Sequence, residues 1–294
     1  MIADGTKPGP VVAITNLSQS QNGIFHEDVT LQIDVEDPTV GDTYSGLEKV
    51  WYTVSAAGNV NTSETIELLD NSRNRIQGNK TFSQVITVPA SEYNSNDVKV
   101  QAFAQDFSGN KGNSDITELK IDVTNPTVSV AWDLNNPSNG KYYKDTRTAT
   151  VTVTDRNFDA NNVRFNITNT DGTEANISGW SSSSDMGISD SAASTCQVSF
   201  PADGDYTFTL GCTDLAGNGG EYGKTDAFTI DKTNPVLTVS YDNSSARNGR
   251  YFKETRTATV TVREHNFNPA DVRTAVTAAL QGCGISPPSI SGFS

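Results

Sequence analysis

Polar and apolar residues alternate in short runs along most of the chain. The clearest runs are VTLQIDV at 29–35, RTATVTVT at 147–154 and YTFTLGCT at 206–213. Alternation with a period of two places one set of side chains on a buried face and the other in water, as in a half-buried strand. Gly, Asn, Asp and Pro between the runs supply turns. The pattern predicts an all-β fold built from β-sandwiches.

The predicted strands fall into two similar series. The first series is 11–17, 29–35, 47–54, 81–88, 98–104 and 116–123. The second series is 128–132, 147–154, 162–168, 195–200, 206–213 and 226–230. A serine-rich stretch at 178–194 interrupts the second series, and its composition predicts a solvated, mobile connection.

The chain also repeats itself. Residues 121–163 and 230–272 align without a gap at an offset of 109 residues, with 22 identities in 43 positions. A gapless repeat of this period indicates tandem domains. The motif D-x-T-x-P begins each copy, at Asp4, Asp122 and Asp231.

These starts define the predicted domains. We expect the tail of a preceding module and a linker at 1–6, a first domain at 7–122, a second at 123–231 and a partial third at 232–294. The third copy diverges after Val272, and ISGFS at 290–294 resembles ISGWS at 177–181, which suggests a displaced strand. The third domain is therefore expected to lack its later strands.

Four further motifs accompany the linker motif: N-G-x-Y/F-F/Y, T-R-T-A-T-V-T-V, D-G-D-Y-T-F-T and D-x-[SA]-G-N. Together they resemble the bacterial immunoglobulin-like repeats that occur in tandem on large surface or secreted proteins of Gram-positive bacteria. The resemblance implies tandem immunoglobulin-like sandwiches joined by short linkers, the last one truncated. Its implied role is non-catalytic: a spacer stalk and adhesive surface of an extracellular, wall-associated protein.

Two other functions stay open beside this one. The chain can be an accessory immunoglobulin-like region of a secreted carbohydrate-active or other hydrolase, or it can be a carbohydrate-binding module. The expected partners are a host or cell-surface protein or a glycan, and the expected form is a monomeric rod.

The charge excludes some partners. The formal net charge is −14 and the sequence pI is about 4.5. Nucleic acid binding requires clustered Lys and Arg, which this acidic chain does not provide, so we expect no nucleic acid partner. No run of 18 apolar residues occurs in the sequence, so these residues are not expected to insert into a membrane.

Acidic residues are predicted to meet at one end of each sandwich. In an immunoglobulin topology, strand A starts at the end that carries the B–C and F–G loops. Clustered carboxylates repel unless they are solvated or neutralised, and hard oxygen ligands suit Ca²⁺. We therefore predict possible inter-module calcium, with ordinary turn residues as the alternative and no other cofactor. The candidate ligands are Asp4, Asp37, Asp106 and Asn110 in the first module and Asp122, Asp155, Asp214 and Asn218 in the second, with Asp231 and Glu264 in the third.

Catalytic chemistry finds little support in the sequence. The two histidines, His26 and His265, belong to different modules. His265 aligns with Arg156, which predicts a solvent position for both. Nucleophilic or acid–base catalysis requires several groups in one cleft, so we expect no enzyme activity and name no catalytic residue.

Cysteines and aromatic residues are expected to be structural. Cys196 and Cys212 lie on inward-facing runs, and we favour buried free thiols over a disulfide. Tyr206 follows an Asp-Gly-Asp turn, as in an immunoglobulin tyrosine corner. Trp51 and Trp132 are expected in cores, whereas Trp180 in the serine-rich stretch is the candidate for stacking on a sugar.

Overall fold

Nearly all regular structure in the protein is β-strand, which confirms the all-β fold class. The structure is a computed structural model, and it describes residues 4–39, 41, 43–57, 62–72 and 79–282. The strands of the first module are β1 (Gly9–Ile14), β2 (Val29–Glu36), β3 (Leu47–Ala57), β4 (Thr62–Asp70), β5 (Thr81–Val88), β6 (Asp97–Asp106), β7 (Lys111–Asn113) and β8 (Thr117–Leu119).

The second module follows with ten strands. They are β9 (Thr127–Trp132), β10 (Tyr142–Tyr143), β11 (Arg147–Thr154), β12 (Arg164–Asn169), β13 (Asn176–Ile177), β14 (Ser181–Ser182), β15 (Ala193–Phe200), β16 (Gly204–Thr213), β17 (Gly219–Glu221) and β18 (Asp226–Ile230). Beyond them lie β19 (Val236–Tyr241), β20 (Ala258–Arg263) and the helix α1 (Pro269–Gly282). Short 3₁₀ turns occur at Leu17–Gln19 and Ala160–Asn162.

The first module is a sandwich of two antiparallel sheets. One sheet has the order β1-β2-β5, and the other has the order β4-β3-β6-β7 with β8 also paired to β6. The alternation predicted from sequence is realised in β2, where Val29, Leu31, Ile33 and Val35 are buried. Burial of these side chains between the sheets is the main source of the module's stability.

The second module has the same two-sheet plan. One sheet contains β13, β15, β11 and β9, with β14 also on β15, and the other contains β10, β18, β16 and β12, with β17 also on β16. Tyr206 is buried, and its hydroxyl donates to the carbonyl of Ala202 at 3.0 Å, which confirms the tyrosine corner. The strand order of both modules is immunoglobulin-like.

The modules differ in the strand that follows the third long strand. In the first module, β4 pairs with β3, whereas in the second module β13 and β14 pair with β15 in the opposite sheet. The sequence did not predict β4. It also placed Trp51 in the core, which is wrong: Tyr52 is the buried aromatic residue of β3, and Trp51 stacks on Phe103 across the outer face, with ring centroids 5.6 Å apart.

The third copy begins with two antiparallel strands, β19 and β20. They pair from Val236 opposite Arg263 to Tyr241 opposite Ala258. The helix α1 after them was not predicted. It begins as capping rules require, since Asn268 Oδ1 accepts from the amide of Ala270 and Pro269 occupies the first turn. Several alanines then favour helix. The predicted strand at 290–294 and Cys283 lie outside the described residues.

Within the described residues, none of the helices has the length and apolar character required to cross a bilayer.

Candidate functional site: acidic poles and the joint between modules

The structure brings the predicted acidic residues together in both complete modules. In the first module, Asp4, Asp37 and Asp106 each place one carboxylate oxygen within 4.8 Å of the other two, and we call this cluster the first pole. Asp122, Asp155 and Asp214 do the same in the second module and form the second pole. Each pole joins the start of a module, the end of its second long strand and its last tight turn.

The linker motif explains how the first Asp of each pole is held. Asp4 Oδ1 accepts from the amide and the hydroxyl of Thr6 at 3.0 and 2.6 Å, and Asp122 Oδ1 accepts from the amide of Thr124 at 3.1 Å. An Asp that accepts a bond from the amide two residues ahead forms a local turn. The D-x-T spacing therefore fixes the direction in which each carboxylate points.

The D-x-[SA]-G-N motif positions the last Asp of each pole. Asp106 Oδ1 accepts from the amides of Ser108 and Asn110 at 2.9 and 2.8 Å, and Gly109 has a φ of 85°. That conformation favours glycine. The turn predicted from this motif is therefore present, and it presents the Asp106 carboxylate to the pole.

The two candidate Asn ligands act as braces. Asn110 Nδ2 donates to Asp106 Oδ2 at 2.7 Å and to the carbonyl of Asp4 at 3.1 Å. Asn218 Nδ2 donates to Asp214 Oδ2 at 2.8 Å and to the carbonyl of Asp122 at 3.0 Å. Each Asn side-chain amide therefore bonds the last turn of a module to the linker at the start of that same module.

The first pole is partly open to solvent. Asp37 and Asp106 are fully buried, whereas Asp4 is only half-buried. Burial raises the pKa of Asp37, and the neighbouring carboxylates of Asp4 and Asp106 raise it further. Hydrogen bonds from Thr6 lower the pKa of Asp4 to about 2. Near neutral pH, Asp4 therefore carries a negative charge beside Asp37.

The second pole is sealed from solvent. Asp122, Asp155 and Asp214 are all 0 % exposed. Burial raises the pKa of Asp155 to about 7, with smaller contributions from the charges of Asp122 and Asp214. Its Oδ2 atom is buried and has no hydrogen-bond partner among the described residues, while Oδ1 accepts from the amide of Asn157 at 2.6 Å. This pole therefore favours a protonated Asp155 at mildly acidic pH.

Arg156 is the functional residue that sequence reasoning missed. Its side chain is buried rather than solvent-exposed, which overturns the position inferred from its alignment with His265. Arg156 Nη2 lies 3.0 Å from Asp122 Oδ1, and Nη1 lies 2.9 Å from Asp190 Oδ1. A positive charge within hydrogen-bonding distance stabilises the ionised form of Asp122 against the cost of its burial.

The same guanidinium crosses from the second module into the first. Its Nη1 donates to the carbonyl of Asn94 at 3.2 Å, and Nη2 donates to the carbonyl of Ile121 at 2.8 Å and to Asn94 Oδ1. A planar group with several donors can bond to several acceptors at once. Arg156 therefore connects the end of β11 to the main chain of the preceding module.

Further polar contacts surround Arg156 at the boundary. Asn96 Nδ2 donates to Asn157 Oδ1 at 2.6 Å and to the carbonyl of Gly187 at 3.0 Å, and Asn22 Nδ2 donates to the carbonyl of Leu215 at 2.9 Å. Gly187 lies in the serine-rich stretch, as does Asp190. That stretch therefore packs at the module boundary, and the prediction of a solvated connection is wrong there.

The corresponding position in the third copy is different. His265 is exposed, as predicted, and its Nε2 lies 3.9 Å from Asp205 Oδ2. Asp231 and Glu264 are held near each other by Asn266, whose Nδ2 donates to Asp231 and whose amide donates to Glu264. The described residues of this copy supply two carboxylates to the pole rather than three.

The remaining candidates have structural surroundings. Cys196 and Cys212 are buried free thiols, and burial raises the pKa of each to about 11. Trp132 packs against three phenylalanine rings and beneath the guanidinium of Arg147. Trp180 packs against Phe158 and Phe165, with ring centroids 4.8 and 6.5 Å away.

Comparison with known proteins found structural similarity alone. No family model matches the sequence, and no curated protein matches it. Among solved structures, the dimeric latent form of PorU from Porphyromonas gingivalis is similar at 17 % identity and a TM-score of 0.26, over 87 % of this chain and 27 % of that one. A marsupial T cell receptor is similar at 10 % identity and a TM-score of 0.28, over 76 % of this chain and 61 % of that one. The chain thus spans less than two thirds of either protein.

Proposed function

We propose that this chain is the non-catalytic repeat region of an extracellular bacterial surface protein. Its immunoglobulin-like modules act as a spacer stalk and as an interaction surface for a host or cell-surface protein or a glycan. The sequence motifs support the bacterial repeat family, and the immunoglobulin-like strand order supports the module type. In this role the protein would be wall-associated and monomeric.

One observation carries the proposal: the first two modules meet through a buried, charged joint. Arg156 is 1 % exposed and bonds to Asn94, Ile121 and Asp122. Domains that are joined only by a flexible linker reorient freely. A spacer must instead hold its modules in line, and several bonds that converge on one guanidinium restrict bending at the joint.

The joint predicts how the two modules move in solution. We expect the first and second modules to tumble as one body, with equal rotational correlation times from amide ¹⁵N relaxation. Arg156→Ala should separate the two values, while Arg164→Ala, which removes an exposed guanidinium bonded to its own module, should not. Independent tumbling of the unaltered modules would refute the stiff joint.

The carbohydrate-binding alternative is less favoured. A sugar platform needs an exposed aromatic face, but the ring of Trp180 packs against Phe158 and Phe165. Trp51 lies in the first module, and Trp132 packs against the aromatic core of the second. Retention of the chain on insoluble polysaccharides that is lost in Trp180→Ala would revive this alternative.

A further inference from the structure

The first pole has the composition of a site for a hard cation. Its three carboxylates lie at the end of the first sandwich where the chain of that module begins, each with an oxygen within 4.8 Å of the others. Ca²⁺ binds oxygen at about 2.3–2.6 Å, so one ion can contact oxygens that lie up to about 5 Å apart. Mg²⁺ binds at about 2.0–2.1 Å and would require a tighter cluster.

A second observation points to a missing ligand at this pole. Asp37 is 0 % exposed, and its Oδ1 atom is buried with no hydrogen-bond partner among the described residues. Its Oδ2 atom accepts from the amide of Gly46 at 2.7 Å. A buried charged oxygen without a partner is costly, because it has lost water and gained nothing in return. A bound cation would supply the partner.

The second pole also contains an unpartnered oxygen, but its charge and access are different. Arg156 Nη2 already lies 3.0 Å from Asp122 Oδ1 there. All three carboxylates are sealed from solvent, so an ion has no open route to them. At the first pole, Pro38 stands at the position of Arg156, so no guanidinium from that position neutralises the carboxylates, and Asp4 is half-buried.

We propose that the first pole binds one divalent cation of the calcium type through Asp4, Asp37 and Asp106, and that the second pole binds none. In this assignment the residue after the second Asp distinguishes the poles: Arg156 brings a positive charge to Asp122 at the second pole, and Pro38 brings none to the first. The inference goes beyond the spacer role and does not depend on the Arg156 contacts that cross the module boundary. Its failure would therefore leave the joint proposal untouched.

Calorimetric titration of the chelator-treated 294-residue chain with CaCl₂ tests the assignment. We expect one ion per chain. Asp37→Asn should weaken binding at least tenfold, whereas the matched variant Asp155→Asn should bind within about twofold of the unaltered chain. Calcium should also raise the melting temperature of the first module and leave that of the second unchanged.

Three results would overturn the proposal: no binding heat and no thermal shift, equal losses in the two variants, or a shift confined to the second module. Near-ultraviolet circular dichroism checks that Asp37→Asn is folded. If it is not, Asp4→Asn takes its place, because Asp4 is half-buried and an asparagine oxygen can still accept from the amide of Thr6. Unweakened binding in that variant would equally refute the site.

Discussion

The two acidic poles have the same backbone arrangement, but they differ in whether an arginine compensates the negative charge of their carboxylates. Both use an Asp from the linker motif, an Asp after the second long strand and an Asp from the last turn, and both are braced by one Asn. At the first pole no arginine follows the second Asp, and one side is open. At the second pole Arg156 supplies a positive charge and the preceding module covers the cluster. The two poles thus differ in the residue that follows the second Asp and in the cover that a described module provides.

The largest expected effect comes from removing the positive charge of Arg156 at the second pole. Arg156→Ala leaves Asp122 buried without its cation, which should destabilise the second module by about 3–5 kcal/mol. Urea unfolding in a Trp51→Phe background measures this, because the remaining tryptophans, Trp132 and Trp180, both lie in the second module. Arg164→Ala is the control, with an expected loss below about 1 kcal/mol. Equal losses would contradict the role of Arg156.

The next effect concerns protons at the second pole. Because the folded pKa of Asp155 is about 7 and its ordinary value is 3.8, its proton stabilises the folded state. That stability is fully present below about pH 3.8 and is lost as pH rises through 7. With chelator present, the second module should lose about 2–3 kcal/mol between pH 5 and 8.

Asp155→Asn tests that assignment directly. The amide cannot ionise, so the variant should lose the corresponding part of the pH dependence and be more stable than the unaltered chain at pH 8. Urea unfolding at the two pH values, in the same Trp51→Phe background, gives the comparison. An identical pH dependence in both proteins would show that another group titrates.

The smallest effect compares the two turns that complete the poles. Gly109 and Gly217 have φ values of 85° and 96°, so alanine at either position should cost about 1–2 kcal/mol. At Gly217 a new Cβ would also lie 2.4 Å from Gln21 Oε1 of the first module, but the end of that side chain can turn away. Thermal unfolding should therefore show similar losses, and Gln21→Ala should leave the Gly217→Ala loss nearly unchanged. Unaltered stability in Gly109→Ala would contradict the requirement for glycine.

Local patterns were sufficient to predict the strands and the poles. The run at 147–154 alternates strictly and coincides with β11, and the linker and turn motifs located Asp4, Asp106, Asp122 and Asp214. Immunoglobulin topology then brought distant carboxylates together. These predictions succeeded because period-two burial and tight turns depend on short stretches of sequence.

The residues that sequence reasoning misplaced depend on contacts between distant parts of the chain. Arg156 is buried because Asn94, Ile121 and Asp190 surround it, and none of these is near it in sequence. The serine-rich stretch is polar, yet the carbonyl of its Gly187 accepts from Asn96 of the first module, and its Asp190 pairs with Arg156. A signal for Arg156 was available: it directly follows an Asp that was itself predicted to lie in an acidic cluster, where a neighbouring cation is favourable.

The placement of Arg156 also has a mechanical consequence. It bonds to the carbonyl of Ile121 and to Asp122, which are the residues that carry tension from one module to the next. A pulling force on the chain would therefore be divided between the linker backbone and the end of β11. The joint would act as a first yielding element, extending by release of Arg156 and of the Asn96 and Asn22 contacts before either sandwich begins to unravel.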